Sequence, residues 1–217
     1  MLIIEQLLPK DDVAELCAAA LRIAYEDGAI TAGRYVKEVK HNLQAAPSPE
    51  RDAILDRVRA ALMGHRAFRL YARPKHVMGL LLSRYEKGMG YGPHVDNPII
   101  DRRRADVSFT VALNDHFDYD GGELVVQSGH EERGVLLNAG DAVVYPTGDL
   151  HRVEPVTRGA RIVVVGWVTS WVRDARRRAM LHDFDLALDE LFARQGKTPL
   201  FDRLHALKTN LQRHWSA

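Results

Sequence analysis

Arg84-Tyr85-Glu86-Lys87-Gly88-Met89-Gly90-Tyr91-Gly92-Pro93-His94-Val95-Asp96-Asn97 is the stretch on which the reading of this chain turns. Its centre is His94-Val95-Asp96. Residues two apart on a strand point to the same face, so an imidazole and a carboxylate at this spacing converge on one point. A metal that accepts nitrogen and oxygen ligands suits that point. His-x-Asp alone is a common triplet, and a third ligand has to come from elsewhere in the chain. His151, in Tyr145-Pro146-Thr147-Gly148-Asp149-Leu150-His151-Arg152-Val153, is the best candidate. Ten residues further on, Arg161 opens the apolar run Ile162 to Val168.

Around these residues the pattern is one of short strands and turns. Strands are predicted over Val77–Tyr85, Val107–Leu113, Glu123–Gln127, Gly134–Leu137, Ala142–Tyr145, His151–Val153 and Arg161–Val168. The breaks hold Gly88/Gly90, Asn114-Asp115, Gly121-Gly122, Ala139-Gly140-Asp141, Pro146 to Gly148 and Arg158-Gly159. Such spacing indicates a sandwich or barrel. A double-stranded β-helix (jelly-roll, cupin-like) is the expected core, because its mouth gathers side chains from distant strands. The fold class is mainly β with flanking helices (α+β).

The flanks are helical. Leu2 to Leu7 reads as a strand, followed by a helix capped by Asp11 or Asp12, with Val13, Leu16, Ala20 and Ala24 on one face. An extended piece is expected around Tyr35 to Val39. Ser48-Pro49 starts a second helix, with Ser as N-cap and Pro at the first helical position, and these helices are expected to buttress the barrel. After Trp171, one helix carries Met180, Leu181, Phe184, Leu188 and Leu191 and closes at Gly196. A second carries Leu200, Leu204, Leu207 and Leu211. This pair is expected to dock on the barrel and to offer a homo-oligomer contact. The three regions are 1–75, 76–172 and 173–217.

Of the 217 residues, 46% are hydrophobic and 27% charged, which suits a globular core. Lys+Arg 30 against Asp+Glu 29 removes the electrostatic case for nucleic acid or an anionic membrane. No run approaches the ~18 apolar residues of a membrane span, and the start shows no targeting signal. Cys17 is the single cysteine, so a reducing cytoplasm is expected. The other histidines, the Arg173 and Arg176 to Arg178 cluster, and the three Trp are read as structural or solvated, the Trp as core.

Two His and one carboxylate leave metal positions open, the facial arrangement of non-haem Fe(II) oxygenases, although zinc tolerates similar ligands. Arg161 tips the balance. Alternation puts it with Val163, Val165 and Trp167, and a charge facing inward there needs a partner. A carboxylate-bearing cosubstrate provides one through the guanidinium fork. Tyr85 is placed to add a hydroxyl hydrogen bond to the same carboxylate.

The segment Arg84 to Asn97, with Gly121-Gly122-Glu123-Leu124, Ala139-Gly140-Asp141, Tyr145-Pro146, Leu150-His151 and Thr157-Arg158-Gly159-Ala160-Arg161, resembles the PKHD-type hydroxylases. These are bacterial relatives of the prolyl 4-hydroxylases in the Fe(II)/2-oxoglutarate dioxygenase superfamily. Val39-Lys40-His41-Asn42-Leu43-Gln44 looks like their Lys-Asn-Asn-x-Gln motif, with His41 replacing one Asn, and Trp171-Val172-Arg173-Asp174 matches too. The resemblance implies that His94, Asp96 and His151 bind Fe(II) and that Arg161 binds the distal carboxylate of 2-oxoglutarate. O2 is then consumed, a substrate C–H is hydroxylated, and succinate and CO2 are released. It also implies L-ascorbate as a reductant of over-oxidised iron, and Lys40, Asn42 and Asn97 as substrate-side residues. Pro98 departs from the small residue expected after Asp-Asn.

Two other readings stand beside this one: a non-catalytic jelly-roll module that holds metal or sugar, and a zinc or manganese cupin acting as an isomerase or hydrolase. The substrate itself, peptidyl or small, is not legible.

Overall fold

The computed structural model describes residues 1–216. The N-terminal part runs β1 (Leu2–Ile4), α1 (Lys10–Ala20), β2 (Tyr25–Asp27), β3 (Lys40–His41), β4 (Leu43–Ala45), α2 (Pro49–Gly64) and α3 (Arg66–Ala72). The central strands are β5 (Pro74–Glu86), β6 (Gly90–His94), β7 (Ile99–Ile100), β8 (Arg103–Arg104), β9 (Val107–Ala112), β10 (Asp120–Gly121), β11 (Leu124–Ser128) and β12 (Glu131–Val135). Then come β13 (Ala142–Pro146), β14 (Leu150–Val153), β15 (Val156–Arg158), β16 (Ala160–Ser170), α4 (Ala175–Gln195) and α5 (Pro199–Trp215).

Two antiparallel sheets face each other. One has seven strands in the order β1-β13-β9-β16-β5-β4-β2, and the other five in the order β12-β11-β14-β6-β3. The chain crosses repeatedly between them: β5 to β6, β9 to β11, β12 to β13, β13 to β14 and β14 to β16. That alternation is the jelly-roll winding expected from the strand spacing.

The wholly buried strand β9 shows how the sequence divides the layers. Val107, Phe109 and Val111 join Leu80, Leu82, Ile162 and Val164 in a core against the helices, where Leu16, Leu62 and Phe68 meet them. Ser108 and Thr110, offset by one residue, line a cavity between the sheets. Phe68 meets Phe109 edge-on at 88° with ring centroids 6.2 Å apart. Each such side chain contributes about 1.5–3 kcal/mol by burial. A second core, including Leu124, Val126, Val143, Val156 and Val163, fills the space between the sheets beyond the cavity.

Several expectations are corrected. Tyr35 to Val39 forms turns, and the strands fall later, at β3 and β4. β1 ends at Ile4, not Leu7. Asp11 and Asp12 lie in the first turn of α1, and the cap position is Pro9. α3 was not foreseen, because seven residues are too few to display a helical period. Trp171 is 45% exposed and is not core; the Lys75 ammonium lies 4.5 Å from its ring centroid. Arg178 is buried, not solvated, and donates to the carbonyls of Val172, Arg173 and Asp106. Met180 is exposed, and Asp185 takes an interior place on α4. On α5, Leu200 and Leu207 are 52% and 50% exposed.

Candidate active site

His94 and His151 are direct Cα partners across the β6–β14 ladder. Side chains opposite each other in an antiparallel pair share a face, and the two imidazole centroids lie 4.2 Å apart. His94 Nδ1 is 2.8 Å from the Gly92 carbonyl, and His151 Nδ1 is 2.9 Å from the Asp149 carbonyl. A carbonyl only accepts, so each Nδ1 carries the proton. Nε2 is therefore the atom that each ring presents on the cavity side. Each Nε2 lies 3.7 Å from an oxygen of Asp96. The three potential ligand atoms all fall within 4.8 Å of one another. Burial, with His151 as a second cause, drives the His94 pKa down to about 4 and keeps this imidazole neutral at pH 7.

Asp96 lies past the end of β6, so strand alternation does not aim it. Two donors do. Ser108 Oγ donates to Oδ2 at 2.9 Å, and the Trp167 indole N–H donates to the same oxygen at 2.8 Å. With Oδ2 claimed twice, Oδ1 stays free for an electrophile. Gly79 makes room for this indole. It sits at φ +64 in the β5 bulge opposite Gly166, and a Cβ there would meet Trp167 Cε3 at 2.8 Å.

Arg161 stands on the seven-stranded wall, paired directly with Tyr85. It is 4% exposed and forms no ion pair with a carboxylate among the described residues, and its Nη1 has no hydrogen-bond partner there. Its guanidinium carbon lies 5.2 Å from the Tyr85 ring centroid, and it hydrogen-bonds the Tyr119 hydroxyl. Gly122, at φ +65, lets the stem pass: a Cβ there would lie 3.0 Å from Arg161 Cδ. The Asn42 side chain hydrogen-bonds the Tyr85 hydroxyl while its own Oδ1 has no partner. Tyr85 therefore accepts from Asn42 and keeps its proton for a ligand.

His94, Asp96, His151, Ser108, Trp167, Arg161 and Tyr85 line one cavity of about 670 Å³, together with Lys40, Asn42, Asn97, Tyr91, Tyr145 and the segment Thr31 to Val36. Every site residue predicted from the sequence lies on its wall. Lys40 and Asn42 are buried, while Asn97 is exposed at the rim. Sequence reasoning missed Ser108, Trp167 and Tyr91, whose ring stacks on His94 at 3.6 Å between centroids. The alternation of β16 placed Trp167 on the Arg161 face but gave no sign of its partner.

The geometry agrees with what the chain resembles. A family model described as 2OG-Fe(II) oxygenase superfamily matches residues 80–169. A PKHD-type hydroxylase of Picosynechococcus is 44% identical over 98% of this chain and 98% of its own length. The chain belongs to the PKHD-type hydroxylase family. A second member, from Maricaulis maris, is 45% identical over 98% of this chain and 97% of its own. Among solved structures, a Pseudomonas putida prolyl-4-hydroxylase superposes with a TM-score of 0.56 at 23% identity, covering 78% of this chain and 91% of that one. A Trichoplax adhaerens prolyl hydroxylase in complex with a hypoxia inducible factor peptide fragment gives 0.57 at 16% identity, over 82% and 86%. Both share the fold. This PKHD-type hydroxylase is thus an Fe(II)- and 2-oxoglutarate-dependent oxygenase, and among its described residues no helix is long and apolar enough to cross a membrane.

Proposed function

We propose that His94 and His151 through Nε2, and Asp96 through Oδ1, hold Fe(II), and that Arg161 and Tyr85 hold the distal carboxylate of 2-oxoglutarate. Two imidazoles and one carboxylate on one side of a metal suit Fe(II) and leave positions open. The observation that carries the cosubstrate assignment is Arg161. A guanidinium this buried, with one Nη unclaimed and no acid paired with it among the described residues, needs an anion from outside the chain. The bound metal with its cosubstrate supplies the O2-dependent chemistry that hydroxylates a C–H bond and releases succinate and CO2.

The chain's own part is to position. The Gly92 and Asp149 carbonyls fix both imidazole tautomers, Ser108 and Trp167 aim Asp96, and Tyr85 turns its proton toward the cavity. Lys40, Asn42 and Asn97 form the substrate side, for a peptidyl or small-molecule substrate. The same proposal takes in ascorbate as a reductant of over-oxidised iron, from the family resemblance. It also takes in a cytoplasmic location, from the lone cysteine, and the absence of a nucleic-acid partner, from the balanced charge. The division into 1–75, 76–172 and 173–217 belongs here too, as does self-association through the half-exposed leucines of α5.

The test is succinate formation from 2-oxoglutarate with Fe(II) and O2, beside anaerobic Fe(II) titration of wild type and His151→Ala. Metal-dependent succinate release and loss of most Fe(II) affinity in the variant are expected. Normal Fe(II) binding in His151→Ala would remove the third ligand, and a wild type that binds metal without consuming 2-oxoglutarate would favour the non-catalytic module.

A further inference from the structure

The cavity holds a second buried cation that the cosubstrate does not use. Lys40 is 7% exposed, on the short strand β3 at the edge of the five-stranded sheet, whereas Arg161 lies on the opposite sheet. Its position is fixed. Nζ donates to Thr31 Oγ1 at 2.7 Å, Thr31 Oγ1 lies 3.0 Å from Gln44 Oε1, and the ammonium stands 5.4 Å from the Tyr91 ring centroid. Threonine and the ring are neutral, and no carboxylate forms an ion pair with Lys40 among the described residues. One N–H is claimed by Thr31, which leaves two for a ligand.

Charge bookkeeping over the cavity points the same way. On the reading proposed above, the divalent metal and Arg161 bring three positive charges. Asp96 and dianionic 2-oxoglutarate bring three negative ones. Imidazoles that bind the metal as neutral ligands add nothing, and the exposed Arg34 and Asp101 on the cavity wall offset each other, so among the buried charges Lys40 is the surplus. Asp27 and Asp96 act on it at a distance, and burial lowers its pKa to about 8, still protonated at pH 7. A buried uncompensated cation is costly unless a ligand neutralises it.

We infer that Lys40 is the anion site for the primary substrate, and that this substrate is a molecule carrying a carboxylate within reach of the C–H bond that is hydroxylated. Thr31 and Gln44 are positioning residues that hold the ammonium. Lys40, two strands away from His151 in the order β14-β6-β3, stands on the same wall as the metal cluster. A small acid gripped there presents its carbon skeleton to the open side of His94 and Asp96. The inference rests on the Fe(II)/2-oxoglutarate assignment.

The experiment uses the full chain, loaded anaerobically with Fe(II) and saturating 2-oxoglutarate. Acetate, benzoate and a set of N-acetyl amino acids, each beside its primary amide, are titrated by calorimetry. Wild type is expected to prefer at least one carboxylate over its amide. Lys40→Gln should lose roughly 10- to 100-fold in affinity for that carboxylate, the scale of one charge-assisted hydrogen bond, with the amide unaffected. Lys40→Arg should recover part of the loss. Thr31→Ala, which keeps the charge but frees the ammonium, should weaken the same ligand less, and it serves if Lys40→Gln does not fold. Affinity for 2-oxoglutarate should stay near the wild-type value in all of them. No carboxylate preference in wild type, equal binding by Lys40→Gln, or a loss that falls on 2-oxoglutarate itself would each overturn the inference. Failure of wild type to bind 2-oxoglutarate at all would instead overturn the underlying assignment.

Discussion

Arg161 and Tyr85 are direct partners across the β5–β16 ladder, with the guanidinium carbon 5.2 Å from the phenol centroid. The ring stands where an acid would ordinarily stand beside a buried arginine. An aromatic face stabilises a cation by about 0.5–2 kcal/mol, less than an ion pair in the same surroundings. The guanidinium is thus held in place without being neutralised.

On the proposed cosubstrate assignment, Arg161→Ala should leave the distal carboxylate of 2-oxoglutarate without its cation, at a loss of about 3–5 kcal/mol, the usual cost of breaking a buried pair. Arg161→Lys keeps the charge and loses the planar fork. Its smaller defect should appear mainly as a raised KM for 2-oxoglutarate, with kcat changing less. Fe(II) affinity should survive in both variants. An unchanged KM in Arg161→Ala would move the clamp elsewhere.

The two hydrogen bonds to Asp96 Oδ2 give a second prediction. Trp167→Phe keeps most of the ring and removes the 2.8 Å donor, and Ser108→Ala removes the 2.9 Å one. Partners that orient a metal ligand typically matter by about 10–100-fold in affinity. Each variant should weaken anaerobic Fe(II) binding on that scale, and the double variant further. If the double variant binds Fe(II) as tightly as wild type, Asp96 needs no such support.

Residues with a strong local signal were legible. Short runs bounded by turn residues marked β5, β9, β13 and β16, and Ser48-Pro49 announced α2, where Ser48 Oγ accepts from Arg51 N at 3.1 Å. The His-x-Asp spacing, His151 and the inward Arg161 named residues that the fold brings to one cavity. What stayed hidden depends on contacts between distant segments. Trp167 and Asp96 are 71 residues apart, and nothing local distinguishes an indole that donates to a carboxylate from one that packs. β2, β3 and β4 have two or three residues each, too few to show a period, so only the family resemblance set Lys40 and Asn42 on the substrate side. Arg178 reads as solvent-facing because charge normally is, and only its tertiary partners reverse that.

Asp185 gives a prediction about stability. It is buried on α4 and forms ion pairs with Arg73, which follows α3, and with Lys208 on α5, at 2.7 Å in the latter case. Arg73 is buried as well, in a left-handed backbone conformation at φ 45, and its Nη1 also donates to Gln212 Oε1 at 3.1 Å. One carboxylate therefore ties both C-terminal helices to the body of the protein. Asp185→Ala strands two cations and should cost about 3–5 kcal/mol in urea unfolding. Asp185→Asn, which keeps a hydrogen-bond acceptor, should cost less. A change within about 0.5 kcal/mol, the range of surface substitutions, would show that the cluster contributes nothing to docking.

Lys40 gives the pH dependence. Burial, opposed by Asp96 and Asp27, lowers its pKa from 10.5 to about 8 in the folded chain. Between these two values the unfolded chain holds the proton and the folded chain has released it. Stability rises with pH wherever the unfolded state binds more protons. The Lys40 contribution should therefore be least favourable below about pH 8 and improve as pH climbs toward 10.5. Lys40→Met lacks that step, so the difference in unfolding free energy between variant and wild type should shrink over this window. The ligand-bound protein should show the opposite trend. A carboxylate that needs the ammonium is lost as pH rises through about 8, and its dissociation constant should climb there in wild type and stay level in Lys40→Met. A pH-independent difference in unfolding free energy would mean that Lys40 titrates as an exposed lysine does, and the cavity would then hold one buried cation instead of two.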